Sequence, residues 1–358
     1  MKKLILFTGG GSAGHVTPNI ALIKRVQSLG FEVCYAGSED GIEKRLIEPL
    51  NIPYYAIDSG KLRREHEYIL NNLLSPFKVL HGVWQSYQLL KKLRPNIVFS
   101  KGGFVAVPVV AGAWLNHIPI IAHESDLTPG LANKLCYPFV KKIALGFPQS
   151  EKFFKAKSKI VYTGTPIRDA VLQGDANKGK QFLNFTDNKP ILLIYGGGLG
   201  SLTINLAIRK ILPALLKQFN VAHCCGKGKC DSAFDNIQGY RQFEYLQNEL
   251  PDVMAASDCV ISRAGANSIY ELLILHKPHL LIPLSKKASR GDQIDNANYY
   301  ANLGLSRVLP EEQLSSESLL QAIESLWAQR ETIKKTLEAY PLPDATTKIV
   351  NLIQEYMK

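Results

Sequence analysis

The sequence predicts an α/β fold made of two Rossmann-like domains that face a shared cleft. Short β-rich runs alternate with longer helical patterns, which is typical of parallel sheets with helices on both faces. The alternation starts twice, and the two starts resemble each other: residues 7–22 and 194–208 each pass from a strand through a run of glycines into an apolar helix. The chain has 358 residues, a length that favours two domains over one.

Buried strands and the helices between them define the first predicted domain. The strand patterns are residues 4–7, 32–36, 97–100 and 118–122, and the helical patterns are residues 18–29 and 41–50. Residues 104–122 approach the length of a membrane span, but Pro108 and Pro119 flank the polar pair Asn116 and His117. We therefore predict a buried helix, a turn and a buried strand there, with a membrane span as the alternative.

The second predicted domain repeats the pattern after a connecting segment at residues 164–166. Its strand patterns are residues 191–195, 221–224, 259–262 and 279–283, and helices separate them. We place the two domains at residues 1–163 and 164–344. After Pro341 and Pro343, residues 346–357 form an amphipathic helical pattern, and periodicity alone does not say where that helix packs.

Composition and charge restrict the functional classes. Apolar residues make up 46% and charged residues 20% of the chain, which is ordinary globular usage and excludes a disordered or fibrous protein. Residues 1–163 carry 21 basic and 11 acidic side chains, whereas residues 164–358 carry 21 and 20. The positive excess of the first domain favours an anionic partner, such as phosphate, nucleic acid or an acidic membrane surface, with solubility alone as the alternative.

The cysteines and the N-terminus bear on the cellular compartment. Six cysteines without a regular framework indicate reduced thiols in a cytosolic protein. The cluster of Cys224, Cys225 and Cys230 lacks a second ligand pair at zinc spacing, so we predict no metal site. Only four apolar residues follow Lys2 and Lys3, too few for the apolar region of a signal peptide.

Glycine-rich loops after the first strand of each domain are candidate phosphate sites. Gly9, Gly11 and Gly14 fit the pattern G-x-G-x-x-G, in which backbone N–H groups approach a diphosphate at a helix N-terminus. A nicotinamide-binding domain also needs an acidic residue at the tip of its second strand, and Glu39 is only an approximate candidate. The loop at residues 196–201 lacks the third glycine. Tight packing of strand on helix without a ligand is the alternative for either loop.

His15 and Arg168 are candidates for proton transfer and for phosphate binding. His15 follows the first glycine loop, where a neutral imidazole suits a general base; the alternative is a histidine that caps or packs the loop. Arg168 follows the connecting segment, where its guanidinium would bind a phosphate through two hydrogen bonds; a surface salt bridge is the alternative.

Two polar segments follow strands of the second domain. Residues 263–271 open a helix, and Glu271 is a candidate ligand for the two hydroxyls of a ribose, with a solvated helix residue as the alternative. Residues 289–296 form a polar run after the strand at 279–283. Because ligands of open α/β sheets bind at the carboxyl ends of the strands, we predict that both segments contribute to a site.

Seven spaced motifs make the chain similar to the MurG family of bacterial transferases. That family moves N-acetylglucosamine from UDP-N-acetylglucosamine to lipid I, the muramoyl-pentapeptide diphospho-undecaprenol acceptor, in peptidoglycan synthesis and hence in cell-wall growth and division. The motifs occur in order between residue 1 and about residue 298, at residues 9–15, 60–64, 100–104, 123–134, 164–168, 262–266 and 291–296.

The resemblance implies a GT-B fold, with an acceptor domain first, a donor domain second, and a final helix within residues 345–358 that packs back on the first domain. It also implies inversion at the sugar C1, with His15 as the base and without a cofactor. The acceptor-site positions that it implies are Gly11, Ser12, Ala13, Gly14, His123, Glu124 and Asp126. The donor-site positions are Arg168, Gly198, Gly200, Ser201, Gly265, Ala266, Ser268, Glu271 and Gln293.

Departures from the family pattern affect both sites. Gly198 stands where the family has a serine near the UDP phosphates, and Ser201 is the candidate replacement. Asp292 stands where many members have a second glutamine, and Asp126 stands where they have asparagine. No Asp-x-Asp motif occurs in the sequence. We therefore predict a metal-independent enzyme in which helix N-termini and Arg168 stabilise the leaving group.

Residues 61–92 are a candidate membrane contact, with Trp114 nearby. Apolar side chains recur there at helical spacing beside several lysines and arginines, a combination that suits interfacial binding. A core-facing helix with a solvated basic rim is the alternative. The resemblance implies a peripheral protein on the cytoplasmic face of the cell membrane that does not bind nucleic acid. The apolar side chains are Leu73, Leu74, Phe77, Leu80 and Trp84.

Three other functions stay open on the sequence. A nicotinamide-dependent oxidoreductase would use the first glycine loop alone. A sugar-nucleotide epimerase of the same architecture would release UDP without a lipid acceptor. A non-catalytic lipid or nucleic-acid binder would use only the basic half of the chain.

Overall fold

The computed structural model describes residues 3–60, 69–196 and 200–357, with the backbone alone for residues 69–76. The chain divides into two compact units. The first unit contains Met1–Arg168 and Pro343–Lys358, and the second contains Asp169–Leu342. The division falls after Arg168 rather than after residue 163, so the connecting segment belongs to the first unit.

A parallel sheet of seven strands forms the centre of the first unit within the described residues. In chain order the strands are β1 (Leu4–Thr8), β2 (Glu32–Gly37), β3 (Tyr54–Ala56), β4 (Ile97–Ser100), β5 (Ile120–Glu124), β6 (Lys142–Leu145) and β7 (Ile160–Tyr162). They pair in the order β3-β2-β1-β4-β5-β6-β7. The order reverses between β1 and β4, and open sheets bind ligands beyond the strand carboxyl ends at such a switch point.

Helices cover this sheet and close the first unit. They are α1 (Ala13–Ser28), α2 (Ile42–Ile47), α3 (Ile69–Leu93), α4 (Ala106–Leu115) and α5 (Leu131–Cys136). The apolar face of α1 contributes Val16, Leu22 and Val26 to a core that also contains Ile5 and Phe7 of β1. This packing fixes where β1 ends and α1 begins, and therefore where the first glycine loop lies.

The second unit repeats the architecture with a six-stranded parallel sheet among its described residues. Its strands are β8 (Ile191–Tyr195), β9 (Asn220–Cys224), β10 (Tyr240–Phe243), β11 (Cys259–Ser262), β12 (His279–Leu281) and β13 (Arg307–Val308). They pair in the order β10-β9-β8-β11-β12-β13. The helices are α6 (Asp169–Leu172), α7 (Ala176–Leu183), α8 (Leu202–Leu215), α9 (Leu250–Ala256), α10 (Ala266–Ile274), α11 (Asp292–Asn302), α12 (Ser316–Ala328) and α13 (Arg330–Ala339).

The C-terminal helix α14 (Ala345–Tyr356) packs on the first unit. Its buried face joins the apolar core built on β1 and α1, and the residues that do so include Ile349, Val350 and Ile353. Asp344 caps the helix by accepting a hydrogen bond from the Thr347 N–H at 3.0 Å. The chain therefore leaves the first unit at Arg168 and returns to it for its last helix.

The structure differs from the sequence predictions mainly at the edges of the sheets. The predictions missed β3, β6, β7, β10 and β13, which have only two to four residues each. β6 lies inside its sheet, but the other four are edge strands, which are buried on fewer sides and therefore have a short and mixed apolar pattern. Helix α1 begins at Ala13 instead of residue 18, and Pro18 lies inside it, where proline gives up one helical hydrogen bond.

The apolar stretch at residues 104–122 folds as predicted. It contains α4, a turn at Asn116 and His117, and the beginning of β5. The backbone of His117 has φ 57°, the left-handed conformation that ends the helix. Across the part of the chain that the structure describes, no helix is both long and apolar enough to cross a membrane.

Because three histidines are buried, we expect the folded protein to lose stability in mild acid. Burial lowers the pKa of His223 to about 3 and that of His279 to about 4. Burial is also the main cause of the lowered pKa of His123, and the charge of Lys101 adds to it. The unfolded chain takes up these protons near pH 6.5, whereas the folded protein does not. The free energy of unfolding therefore decreases by about 1 kcal/mol per histidine as the pH falls from about 7.5 to about 5.5.

Urea titrations at the two pH values measure this loss, and His279→Gln is the test variant. It should lose less stability than the wild type over the same interval. Equal losses would mean that His279 does not contribute to the acid sensitivity.

Candidate active site

The first glycine loop joins β1 to α1 and needs glycine for steric reasons. Gly11 has φ +83°, and a Cβ there would lie 2.4 Å from the Phe104 ring. On the facing loop after β4, Gly103 has φ +80°, and a Cβ there would lie 2.1 Å from the Gly10 carbonyl oxygen. The Gly10 N–H reaches the Gly102 carbonyl at 3.4 Å. The loops after β1 and β4 therefore pack backbone against backbone at the switch point.

His15 lies in the first turn of α1 and is partly buried. Its Nδ1 lies 3.0 Å from the Gly10 carbonyl oxygen and 3.0 Å from the Ser12 hydroxyl. A carbonyl oxygen can only accept, so this contact is a hydrogen bond only if Nδ1 carries the proton. In the neutral ring Nε2 is then the unprotonated nitrogen, which is the form that a general base needs.

Side chains that the sequence analysis did not single out hold this loop. Glu43 at the start of α2 is fully buried, and its Oε2 accepts the Gly11 N–H at 3.1 Å. The Tyr35 hydroxyl of β2 donates to the Gly9 carbonyl at 2.7 Å. The Gly11 N–H, which the sequence suggested for the acceptor diphosphate, is thus engaged within the protein.

The end of β5 and the loop after it hold three predicted acceptor residues, and the structure shows what two of them contact. His123 is fully buried, and its Nε2 lies 2.9 Å from the Gly164 carbonyl oxygen. The Glu124 carboxylate accepts the Asp126 N–H at 3.0 Å and the Gly130 N–H at 2.9 Å. His123 and Glu124 therefore shape the loop that presents Asp126.

Lys101, on the loop after β4, is a buried cation at the same edge of the sheet. It is 1% exposed, and its ammonium donates a hydrogen bond to the Ser125 hydroxyl. Burial lowers its pKa to about 8, against the opposing charges of Glu124 and Asp126. Residue 101 lies within one of the motifs identified in the sequence, but its burial follows from the parallel pairing of β1 with β4 and could not be predicted from spacing.

In the second unit, Gly200 near the end of the glycine loop packs against the chain just after β9. Gly200 has φ +65°, and a Cβ there would lie 1.9 Å from the Cys225 carbonyl oxygen. Ser201 caps α8, because its hydroxyl accepts the Ile204 N–H at 3.3 Å. Gly198 lies outside the described residues. Ser201 thus has a structural contact in the loop, and its predicted role as the replacement serine stays a prediction.

Arg263 links this loop to two others and was not assigned a role from the sequence. It is 8% exposed, and it donates to the Ser201 hydroxyl at 2.7 Å and to the Ile282 carbonyl at 3.1 Å. It also forms a buried ion pair with Glu311, whose other oxygen accepts the Ser285 N–H at 3.1 Å. One guanidinium therefore fixes the loops after β8, β11 and β12 relative to one another.

The remaining predicted donor residues of this unit lie on α10 and α11. Gly265 occupies the N-cap of α10, and Ala266 is its first residue, with Ser268 half-buried in the first turn. Glu271 follows on the same helix and is 5% exposed, which excludes the alternative of a solvated helix residue. On α11, the Gln293 Oε1 accepts the Leu284 N–H at 3.0 Å.

Arg168 and Glu39 lie elsewhere. Arg168 is the last residue of the first unit and is half-buried. Unlike the other predicted donor residues, it therefore belongs to the first unit. Glu39 is exposed and pairs with Lys44 at 2.6 Å. Its ion pair gives no support to a nicotinamide ribose site at the tip of β2.

Comparison with known families agrees with this geometry. Residues 5–145 match the glycosyltransferase family 28 N-terminal domain, and residues 191–355 match the glycosyltransferase family 28 C-terminal domain. The first match covers β1 to β6, and the second covers β8 to β13 together with most of α14.

Curated proteins and solved structures are similar over almost the whole chain. The UDP-N-acetylglucosamine--N-acetylmuramyl-(pentapeptide) pyrophosphoryl-undecaprenol N-acetylglucosamine transferase of Legionella pneumophila (strain Paris) is 54% identical over 355 residues, covering 99% of this chain and 97% of that protein. The Clostridium tetani protein of the same name is 53% identical over 356 residues, covering 99% of each chain. The crystal structure of Acinetobacter baumannii MurG has a TM-score of 0.77 at 26% identity, covering 99% of this chain and 100% of that one.

Proposed function

This chain belongs to glycosyltransferase family 28, and we propose that it moves N-acetylglucosamine from UDP-N-acetylglucosamine to the muramoyl 4-hydroxyl of lipid I. The products are lipid II and UDP, and the sugar C1 is inverted. The observation that carries this proposal is the identity of more than half of the residues along 99% of the chain with transferases of that name. The enzyme is thus a hexosyltransferase of peptidoglycan synthesis.

The three other functions that the sequence left open fit the same observations less well. An oxidoreductase would need an acidic ribose ligand after β2, and Glu39 is an exposed residue paired with Lys44. An epimerase has no use for the lipid acceptor that the names of the similar proteins specify. If the protein only bound a ligand through its basic half, the second unit would not be needed. The buried polar network of that unit, centred on Arg263, would then have no function.

The geometry suggests how the residues divide the reaction. In the first unit, His15 Nε2 takes the proton of the acceptor hydroxyl as that oxygen attacks C1. In the second unit, the N-termini of α8 and α10 provide backbone N–H groups for the negative charge that develops on UDP. We assign the first unit to the acceptor and the second to the donor.

Transfer of radiolabelled N-acetylglucosamine to a short-chain lipid I analogue tests the proposal. The label should move into the lipid product, and UDP should be released in equal amount only when the acceptor is present. UDP release with epimerised sugar in the absence of acceptor would identify an epimerase instead. Absence of both products with a protein that binds UDP would reject the transferase assignment.

We also propose that α3 places the first unit on the cytoplasmic leaflet of the membrane. Phe77, Leu80 and Trp84 lie on one face of α3 and are 71%, 67% and 58% exposed, so this part of the helix does not face the core. Exposed Lys78 and Lys91 supply positive charge on the same helix. The side chain of Leu73 and residues 61–68 lie outside the described residues. Trp114 on α4 is also exposed, at 52%.

Flotation with lipid vesicles measures this attachment. Each basic residue near an anionic surface contributes about 1 kcal/mol, so the protein should float with anionic vesicles more than with neutral ones. Changing Phe77, Leu80 and Trp84 together to serine should lower the partition coefficient about tenfold, because apolar side chains then no longer insert.

Leu303→Ser is the matched control, since Leu303 is an exposed leucine of the second unit, 42% accessible. It should float like the wild type. Undiminished flotation of the folded triple variant, or equal binding to neutral and anionic vesicles, would show that this face is not the anchor.

A further inference from the structure

We infer that Glu43 is a positioning residue that fixes the tautomer of His15 and stabilises its protonated form through the Gly10–Gly11 peptide group. The inference depends on the proposed function only in taking His15 as the base of the transferase. Glu43 does not touch His15 or the reacting atoms. It acts through one amide.

The contacts at the two ends of this amide carry the inference. The N–H of the peptide group belongs to Gly11 and donates to Glu43 Oε2 at 3.1 Å. The carbonyl of the same group belongs to Gly10 and lies 3.0 Å from His15 Nδ1. Because the amide is conjugated, an anion that accepts from its N–H shifts electron density toward its oxygen, and linked hydrogen bonds strengthen one another. The Gly10 oxygen therefore becomes a better acceptor for Nδ1–H.

The effect on proton transfer follows from the charges. When Nε2 takes the proton of the attacking hydroxyl, the ring becomes a cation and its Nδ1–H becomes a stronger donor. The polarised Gly10 oxygen and, behind it, the Glu43 carboxylate stabilise that cation. The proton on Nδ1 stays there, and none passes to Glu43. The arrangement does with one intervening peptide group what a directly bonded aspartate does for the histidine of a catalytic triad.

The surroundings of Glu43 fit a carboxylate and leave room for little else. Its Oε1 accepts the Ser38 N–H at 3.1 Å and also accepts from the Ser38 hydroxyl. A Cβ at Gly10 would lie 2.5 Å from the Glu43 Cδ, and one at Gly41 would lie 2.3 Å from it. Burying a charge is costly unless it is hydrogen-bonded, and here three donors contact the two carboxylate oxygens. These contacts hold an acceptor-only side chain next to the Gly10–Gly11 peptide group.

Other titratable groups pack around the same loop. The Tyr35 and Tyr54 rings of β2 and β3 face Glu43. Burial is the main cause of the raised pKa of Tyr54, and the charge of Glu43 adds to it. Lys101 lies beside Gly9 on the loop after β4, with its pKa lowered by burial to about 8. Glu39 and Lys44 form their exposed pair on the β2–α2 side. The tyrosines and Lys101 titrate above the pH range in which the acid limb of a histidine base falls.

Nitrogen NMR of protein with ¹⁵N-labelled histidine tests the inference without any turnover. In the wild type above the titration midpoint of His15, Nδ1 should show the shift of a protonated ring nitrogen and Nε2 that of an unprotonated one. The variant Glu43→Gln keeps the shape and removes the charge. It should move the midpoint of His15 to lower pH, together with the acid limb of kcat, and should lower kcat about tenfold, in the range known for lost supporting contacts, while the donor KM stays unchanged.

Glu39→Gln is the control, because it removes an equal charge from the same segment without contact to the loop. It should leave the His15 midpoint in place. An unchanged midpoint in folded Glu43→Gln overturns the inference, whatever happens to kcat, since a merely structural role would lower kcat without moving the titration. A wild-type His15 that carries its proton on Nε2 also overturns it.

Ser38→Ala decides the question if Glu43→Gln does not fold. It removes one donor from the carboxylate and so strengthens the bond to Gly11, and the His15 midpoint should rise. A fall or no change would reject the inference. Should His15→Ala retain full activity, the base of the proposed function is lost, but the NMR result still decides whether Glu43 acts on His15.

Discussion

His15→Ala should lower kcat by about 10² to 10⁴, the usual cost of losing a positioned general base. The acceptor hydroxyl is a weak nucleophile until its proton is removed, and Nε2 is the nitrogen that the Gly10 contact leaves unprotonated. Donor binding should persist, because all predicted donor residues except Arg168 lie in the other unit. Steady-state kinetics with saturating acceptor analogue measure the effect, and calorimetry with UDP checks that the donor site is intact.

His276→Asn is the matched control for the loss of a histidine. His276 lies before β12 with φ 50°, and asparagine tolerates that left-handed conformation. This variant should keep wild-type kcat. A folded His15→Ala variant that retains more than about a third of wild-type kcat would have lost far less activity than the removal of a general base costs. The base would then lie elsewhere.

The central architecture could be predicted from the sequence because the signals are local. β1, β4, β5, β8 and β11 are runs of buried apolar residues, and each of the two glycine loops follows one of them directly. The same locality explains the prediction of α4 and of the turn after it, because Pro108 and Pro119 flank that turn. The edge strand β10 contains Arg241 and Gln242 in its four residues, so its pattern has no continuous apolar run to detect.

The contacts that organise the candidate site are not local, and the sequence could not predict them. Glu43 reaches Gly11 because β1 and β2 pair in parallel and place their following loops side by side. Arg263 reaches Ser201 across a separation of 62 residues for the same reason, since β8 pairs with β11. Spacing indicated that residues after strand ends meet at one edge, but not which side chain would contact which backbone group.

The roles of the individual site residues stay predictions that variants must test. Glu124, proposed from the resemblance as an acceptor ligand, accepts backbone N–H groups of its own loop. Its substitution would therefore disturb the loop as well as any ligand contact. Glu271 allows a cleaner test, because the expected ligand groups are known and can be removed one at a time.

Glu271→Gln should weaken UDP binding about tenfold to a hundredfold, because each hydrogen bond from a hydroxyl to a buried carboxylate contributes about 1.5 to 3 kcal/mol. Calorimetry with UDP and with its 2′-deoxy and 3′-deoxy analogues assigns the loss to the ribose. The wild type should bind both deoxy analogues more weakly than UDP, and Glu271→Gln should bind all three with similar affinity, which is the coupling that a double-mutant cycle detects.

Glu312→Gln is the control, since Glu312 is an exposed acid of the same unit, and it should bind UDP like the wild type. Thermal unfolding of Glu271→Gln separates a lost ligand contact from a damaged helix α10, because Glu271 is buried and the amide must find partners for its own N–H groups. A folded Glu271→Gln protein that still discriminates UDP from its deoxy analogues as the wild type does would remove Glu271 from the ribose site, because the carboxylate would then contribute nothing that depends on those hydroxyls.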